Sequence, residues 1–322
     1  MEYRKIGKWG IRVSEIGLGS WLTYGQSVSE SESAKQIEYA YQYGINFFDT
    51  ANVYGLGSGE EAVGKALHKF RRDSYVLATK LFFPMGDGPN DRGLSRKHIF
   101  EQCESSLRRL KTDYIDIYQC HRYDPDVPLF EIVRAMDDLA RQGKILYWGV
   151  SEWSSKQIEA AVDTAKGMTA LPPISNQPRY NMLQRDIEEE VIPTCKKLGL
   201  GQVVFSPLAQ GILTGKYAID KPLPEHSRAA DNRLSGFIRQ SLTRENLLLV
   251  EELKAIANEL NISMVQLALA WCLRLPEISS TIIGATSINH IEDNQKASGL
   301  KIPREVLDRI SDFLNKRVMS HK

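Results

Sequence analysis

Residues 44–64 read GINFFDTANVYGLGSGEEAVG, and the way this stretch divides decides the fold. Asn46-Phe47-Phe48 is a short apolar run, the size of a strand buried on both faces, and it stops at Asp49-Thr50-Ala51. Tyr54 follows a few residues on, then a glycine-rich loop, and residues 60–69 have helical spacing. A carboxylate closing a buried strand, with a phenol one turn of loop later, suits proton chemistry. Its plainer role is to cap a loop or helix.

The same strand-then-helix alternation runs through the chain in both directions. Residues 3–6 and 11–14 flank Gly7-Lys8-Trp9-Gly10 as a small N-terminal hairpin. Strand and helix then pair as 16–20 with 31–43, 46–49 with 60–69, 75–79 with 96–109, and 114–119 with 129–142. The series continues as 145–150 with 156–166, 174–177 with 187–198, 202–205 with a long connection, and 280–284 with 288–298. Ser95 is placed as a helix N-cap and Gly143 as a helix stop. Eight such units in series predict an α/β fold, a closed (β/α)8 TIM barrel rather than a doubly wound sheet. Outside the repeat lie a polar excursion over 211–244, long enough for a lid, and three further helices over 245–260, 264–274 and 304–314. No linker divides the chain, so residues 1–322 are expected to form one domain.

Composition narrows the function. The chain has 322 residues, 42% of them hydrophobic, ample for a full core, and a net charge of +1 with no basic stripe that would bind nucleic acid. Its four cysteines are far apart and include no C-x-x-C, so reduced thiols in a cytoplasmic protein are expected. MEYRKIGKWG lacks an apolar signal-peptide core, and no apolar run reaches the roughly 18 residues of a membrane span. A soluble protein without membrane insertion follows. Six dispersed histidines with no H-x-H or H-E-x-x-H argue against a metal hydrolase. The clusters Gly17-Leu18-Gly19 and Gly55-Leu56-Gly57-Ser58-Gly59 do not complete G-x-G-x-x-G.

In a barrel of this kind, active-site residues lie at the C-terminal ends of strands. The second strand of the repeat ends at Asp49 with Tyr54 beyond it, YVLATK ends at Lys80, and YIDIYQCH ends at His121. LYWGVSEW ends at Ser151-Glu152, the next strand gives Asn176-Gln177, and the seventh gives Phe205-Ser206-Pro207. Alone, a strand-end lysine snorkels to solvent and a single histidine is usually structural. Together, the four types form a coherent acid. A phenol with a pKa of about 10 is a poor donor near neutrality, and an adjacent ammonium lowers that value. Tyr54 is therefore assigned as general acid, Lys80 as its perturber, Asp49 as the anchor of Lys80, and His121 as a hydrogen-bond partner of the substrate oxygen. Such a set protonates an oxygen that becomes negative as hydride reaches a carbonyl carbon. Trp21, Tyr24, Phe82, Phe83 and Tyr123 are candidates for an apolar substrate pocket.

At these residues the chain resembles the aldo-keto reductase superfamily essentially end to end. GINFFDTANVYG and QGKILYWGVSEW resemble the two family signatures. GLSRKHI, VRAM, YWGVSEWS, FSPLAQGILTGKY and QLALAWCLR are similar to the branch that holds voltage-gated potassium channel β-subunits and their bacterial and plant relatives. The resemblance places Asp49, Tyr54, Lys80 and His121 on the catalytic tetrad and implies NADPH extended across the barrel mouth. It sets Ser20 and Trp21 at the nicotinamide end, Ser151 and Gln177 at the carboxamide, and Phe205 stacked on the ring. Ser206, Pro207, Leu208 and Gln210 would run under the pyrophosphate, Lys216 and Arg228 would clasp phosphate groups, and Gly284, Thr286, His290, Asp293 and Asn294 would meet the adenosine end. This chain departs from many members at Glu152, Phe205 and His290. The implied function is reduction of aldehydes, and some ketones, by a protein that is often a homo-oligomer. The rival it implies is a cofactor-binding, redox-sensing subunit of a membrane channel. Channel β-subunits carry Asn where this chain has His121, which favours the enzyme.

Overall fold

The computed structural model describes residues 1–25, 27–225, 227–232 and 234–319. An antiparallel pair, β1 (Tyr3–Lys5) and β2 (Arg12–Ser14), comes first. The barrel strands among the described residues are β3 (Ile16–Gly19), β4 (Phe47–Asp49), β5 (Val76–Leu81), β6 (Ile115–Cys120), β7 (Ile145–Val150), β8 (Ser175–Asn176), β9 (Gly201–Val204) and β10 (Ile278–Ile283). All pair in parallel, in the order β10-β3-β4-β5-β6-β7-β8-β9, and close on themselves. The chain therefore adopts the (β/α)8 architecture that its alternating sequence predicts. The crossover helices are α1 (Glu30–Gln42), α2 (Ser58–Leu67), α3 (Arg96–Leu110), α4 (Leu129–Arg141), α5 (Ser155–Gly167) and α6 (Val191–Leu198). Then α7 (Arg244–Glu259) and α8 (Met264–Leu273) precede β10, and α9 (Ile288–Gln295) and α10 (Arg304–Met319) follow it. No single helix among the described residues is long and apolar enough to cross a membrane.

Strand periodicity of two builds two cores. Phe48, Leu77 and Leu81 point outward into the layer shared with the helices. Phe47, Val76 and Ala78 point inward and meet Ile117, Val203 and Ile282 inside the barrel. The hairpin adds Ile6 and Val13 to this inner cluster, so the barrel floor is apolar. Continuing the inward-facing rows toward the C-terminal end leads from Phe47 to Asp49 and from Val76 and Ala78 to Lys80. Register sets Asp49 beside Ala78 and Lys80 beside Gln119. The polar site is thus the upper layer of an interior whose lower layer is hydrocarbon.

Element boundaries differ from the sequence expectation where local geometry intervenes. Helix α6 starts at Val191 rather than 187, because Pro193 lacks an N–H and fits only the first turn; Asp186–Glu188 form a separate 3-10 turn. Strand β8 is short, but Ile174 N and Gln177 N donate to Trp148 O and Val150 O at 2.9 and 2.8 Å, extending the ladder on both sides. Helices α2 and α3 approach closely at Gly64, where a Cβ would lie 2.6 Å from the Leu110 backbone. The expected 211–244 excursion, as far as it is described, is loop with short 3-10 turns.

Candidate active site

Lys80 is fully buried, a costly place for an ammonium unless it is paired. Its Nζ donates to Asp49 Oδ2 at 2.6 Å and to the Thr50 carbonyl at 2.7 Å. The other Asp49 oxygen accepts from Gln177 Nε2 at 2.9 Å and Gln119 Nε2 at 3.3 Å. Every ligand of this pair comes from the end of a strand or the residues just after it, so the barrel itself fixes the geometry. Burial alone would lower the Lys80 pKa. The facing Asp49 and Tyr54 outweigh it and raise the value, so the ammonium persists at neutral pH.

Tyr54 opens a tight turn in which Gly55 and Leu56 both take positive φ, and Gly57 follows at φ 101°. Arg109 packs over Gly57, where a Cβ would sit 2.6 Å from Arg109 Cδ, and pairs with buried Glu60 at 2.6 Å. The turn so held puts the Tyr54 hydroxyl 3.4 Å from Lys80 Nζ, with the ammonium 5.0 Å from the ring centroid. Here the sequence expectation needs correction. Lys80 does pull the phenol's pKa down, but burial in the mouth is the larger influence and Asp49 adds to it, so the net shift is upward. With the cleft as described, Tyr54 is a neutral phenol held beside a cation.

His121 follows β6, with its ring edge-on to Tyr54 (centroids 5.8 Å apart) and to Phe83 (4.9 Å). Burial, then the charges of Lys80 and Arg122, hold its pKa well below the usual histidine value, so it is neutral at pH 7. Its Nδ1 is buried without a hydrogen-bond partner among the described residues. Among the aromatic candidates, Trp21 lines the cleft and Phe83 flanks His121 against Phe82. Tyr24 is buried in the outer core, and Tyr123 packs edge-on against Trp153.

From Tyr54 a cavity of about 1000 Å³ runs across the barrel mouth to the start of α9. Its near wall holds Trp21, Asp49, Gln177 and Phe205. The middle holds Ser206, Pro207, Leu208 and Gln210, and Gln210 donates to Ser206 and accepts from Arg228. Lys216 and Arg228 face the far half with Gly284, Thr286, His290, Asp293 and Asn294. Two sequence-expected residues lie behind the wall. Ser20 is buried and donates to Thr50 Oγ1 at 2.8 Å, and Ser151 is buried and donates to the Gln177 carbonyl at 2.8 Å. The wall also contains Thr23, Ser27, Thr214, Ser227 and Val265, none of them singled out in the sequence.

The cavity's chemistry suits a phosphorylated, ring-bearing cofactor. Neither Lys216 nor Arg228 has an ion-pair partner among the described residues, and Arg228's proximity, after partial desolvation, lowers the pKa of Lys216. Such a pair of cations calls for an anion. A Cβ at Gly284 would project into open space, meeting only Thr23 Cγ2 at 4.0 Å, so backbone lines the cleft there. Phe205 offers a ring, with Trp21 edge-on to it at 6.4 Å.

The aldo/keto reductase family model matches residues 15–315. The chain is 43% identical over 315 residues to a probable voltage-gated potassium channel subunit beta of Oryza sativa subsp. japonica, covering 96% of this chain and 95% of that protein. It is 41% identical to a protein of the same description from Arabidopsis thaliana, covering 98% of each. A putative voltage-gated potassium channel subunit beta of Schizosaccharomyces pombe is also 41% identical, over 97% of this chain and 93% of that one. Fold, site and sequence agree: the chain belongs to the aldo/keto reductase family of oxidoreductases.

Proposed function

We propose that this protein, acting as one domain over residues 1–322, reduces aldehydes, and ketones more weakly, to alcohols with NADPH. The observation that carries the reading is the Tyr54 hydroxyl held beside the Asp49-anchored Lys80 ammonium, on the wall of a cleft whose far half presents two cations without an ion-pair partner among the described residues. NADPH, when bound, supplies the hydride. Phe205 would stack on its nicotinamide, Gln177 would hold the carboxamide end, and Lys216 and Arg228 would meet its phosphates. The chain's own task is the proton. A carbonyl oxygen set between Tyr54 and neutral His121 receives a hydrogen bond, and as it gains negative charge Tyr54 transfers its proton. The resulting phenolate lies against the Lys80 ammonium, which Asp49 keeps in place, and recovers a proton from solvent. Four buried free thiols support a cytoplasmic setting.

The relatives are described as potassium channel β subunits, and on that ground the alternative we propose is a cofactor-binding regulatory subunit of a membrane channel with little turnover, in a homo-oligomer. One experiment separates the two: NADPH oxidation against a panel of aldehydes, run beside a cofactor-release measurement. Aldehyde-dependent oxidation of many equivalents of NADPH per protein, at a rate within that of cofactor release, supports the enzyme. A bound cofactor with no aldehyde-dependent oxidation supports the sensor.

A further inference from the structure

Close to Tyr54 and His121 lies a cation that proton transfer does not use. Arg122 follows His121, its guanidinium 5.5 Å from the Phe83 ring centroid, and Nη1 donates to the His121 carbonyl at 2.5 Å. Three other cations of the barrel have carboxylates: Lys80 has Asp49, Arg109 has Glu60 and Arg72 has Asp116. Arg122 has no ion-pair partner among the described residues. With one N–H spent on a neighbouring carbonyl, the rest of its five-donor fork is uncommitted. Its charge reaches the reacting groups, since after burial and Lys80 it too lowers the proton affinity of His121.

What surrounds this cation is aromatic. Phe83 packs against both this cation and His121, and Trp21 of the cleft wall meets Phe237 edge-on at 5.2 Å. Phe237 is 49% exposed, a large apolar face behind Trp21. A ligand filling such a mouth would present a flat apolar body and a negative charge.

We infer that Arg122 selects carbonyl substrates that carry a carboxylate, gripping it in the guanidinium fork while the carbonyl oxygen rests between Tyr54 and His121. The inference rests on the carbonyl-reduction reading and adds the substrate class. Arginine suits the task because its planar fork matches the two oxygens of a carboxylate. The shared Phe83 ring sets the spacing, since the Arg122 guanidinium lies 5.5 Å and the His121 ring 4.9 Å from it.

The test compares 4-carboxybenzaldehyde with its uncharged amide, 4-formylbenzamide, under saturating NADPH. The amide is the more electrophilic aldehyde, so indifference to charge would favour it. The expected result is a kcat/KM for the carboxylate higher by roughly tenfold or more, the scale of one charge-assisted hydrogen bond. Arg122→Gln should erase that ratio and Arg122→Lys should restore part of it; the ratio cancels any common effect of the substitution on proton transfer. Calorimetric titration of the NADP-loaded protein with benzoate and benzamide reads the same selection without turnover. Equal handling of the charged and uncharged ligands, or a preference that survives Arg122→Gln, overturns the inference and leaves aldehyde reduction standing. A protein that reduces neither aldehyde, yet binds benzoate over benzamide through Arg122, upholds anion selection and defeats the reduction reading.

Discussion

Lys80 Nζ and Asp49 Oδ2 meet at 2.6 Å inside the barrel, with neither side chain appreciably exposed. A buried pair of this kind is bound to its partner more than it is stabilising in itself, because losing either charge strands the other. Asp49→Asn or Lys80→Met alone should destabilise the fold by about 3–5 kcal/mol. The double variant should cost clearly less than the sum, with a coupling of about 2–3 kcal/mol. Urea unfolding of the four proteins measures it. Additive losses would mean that the two charges do not depend on each other.

The cofactor assignment turns on Arg228, which is half-buried, bonded to Gln210 and without a carboxylate partner among the described residues. Arg228→Ala should raise the Kd for NADPH by roughly 10- to 100-fold, as expected when one charged contact to a phosphate is lost, and change NADH binding far less. Fluorescence titration with both cofactors checks this. Equal losses would remove Arg228 from recognition of the 2′-phosphate.

His121 gives a pH signature. Its pKa in the folded protein is depressed by burial and by Lys80, so below about pH 6.5 the unfolded chain takes up a proton that the folded one refuses. Stability from this residue is complete above that value and is lost as pH falls toward the folded pKa, by up to about 1.4 kcal/mol per pH unit. The Tm should therefore drop between pH 7 and pH 5 more steeply in the wild type than in His121→Asn. Identical slopes would place the titration elsewhere.

Much of the architecture was readable from the chain because a parallel barrel writes itself as short apolar strands and amphipathic helices. Asp49 and Lys80 were legible for the same reason: each ends an apolar strand on the side that periodicity turns inward. Gln119 obeys the same rule, one step from His121 and level with Lys80, yet an amide carries no chemical flag in a sequence. The sign of the Tyr54 shift was not legible, since desolvation depends on every atom packed around the hydroxyl while the Lys80 contribution depends on one. Ser20 and Ser151 fall behind the cleft wall because their hydroxyls are committed to Thr50 and Gln177. Thr23, Ser27 and Val265 reach the wall from segments whose sequence carries no motif.

The central claim is that Tyr54, set beside Lys80, delivers the proton. The most direct measurement is steady-state NADPH oxidation with 4-carboxybenzaldehyde by Tyr54→Phe, alongside its Kd for NADPH. The account predicts a loss of kcat of roughly 10²- to 10⁴-fold, the scale of general acid catalysis, with the Kd nearly unchanged. A Tyr54→Phe protein that turns over within a few fold of the wild type would contradict it.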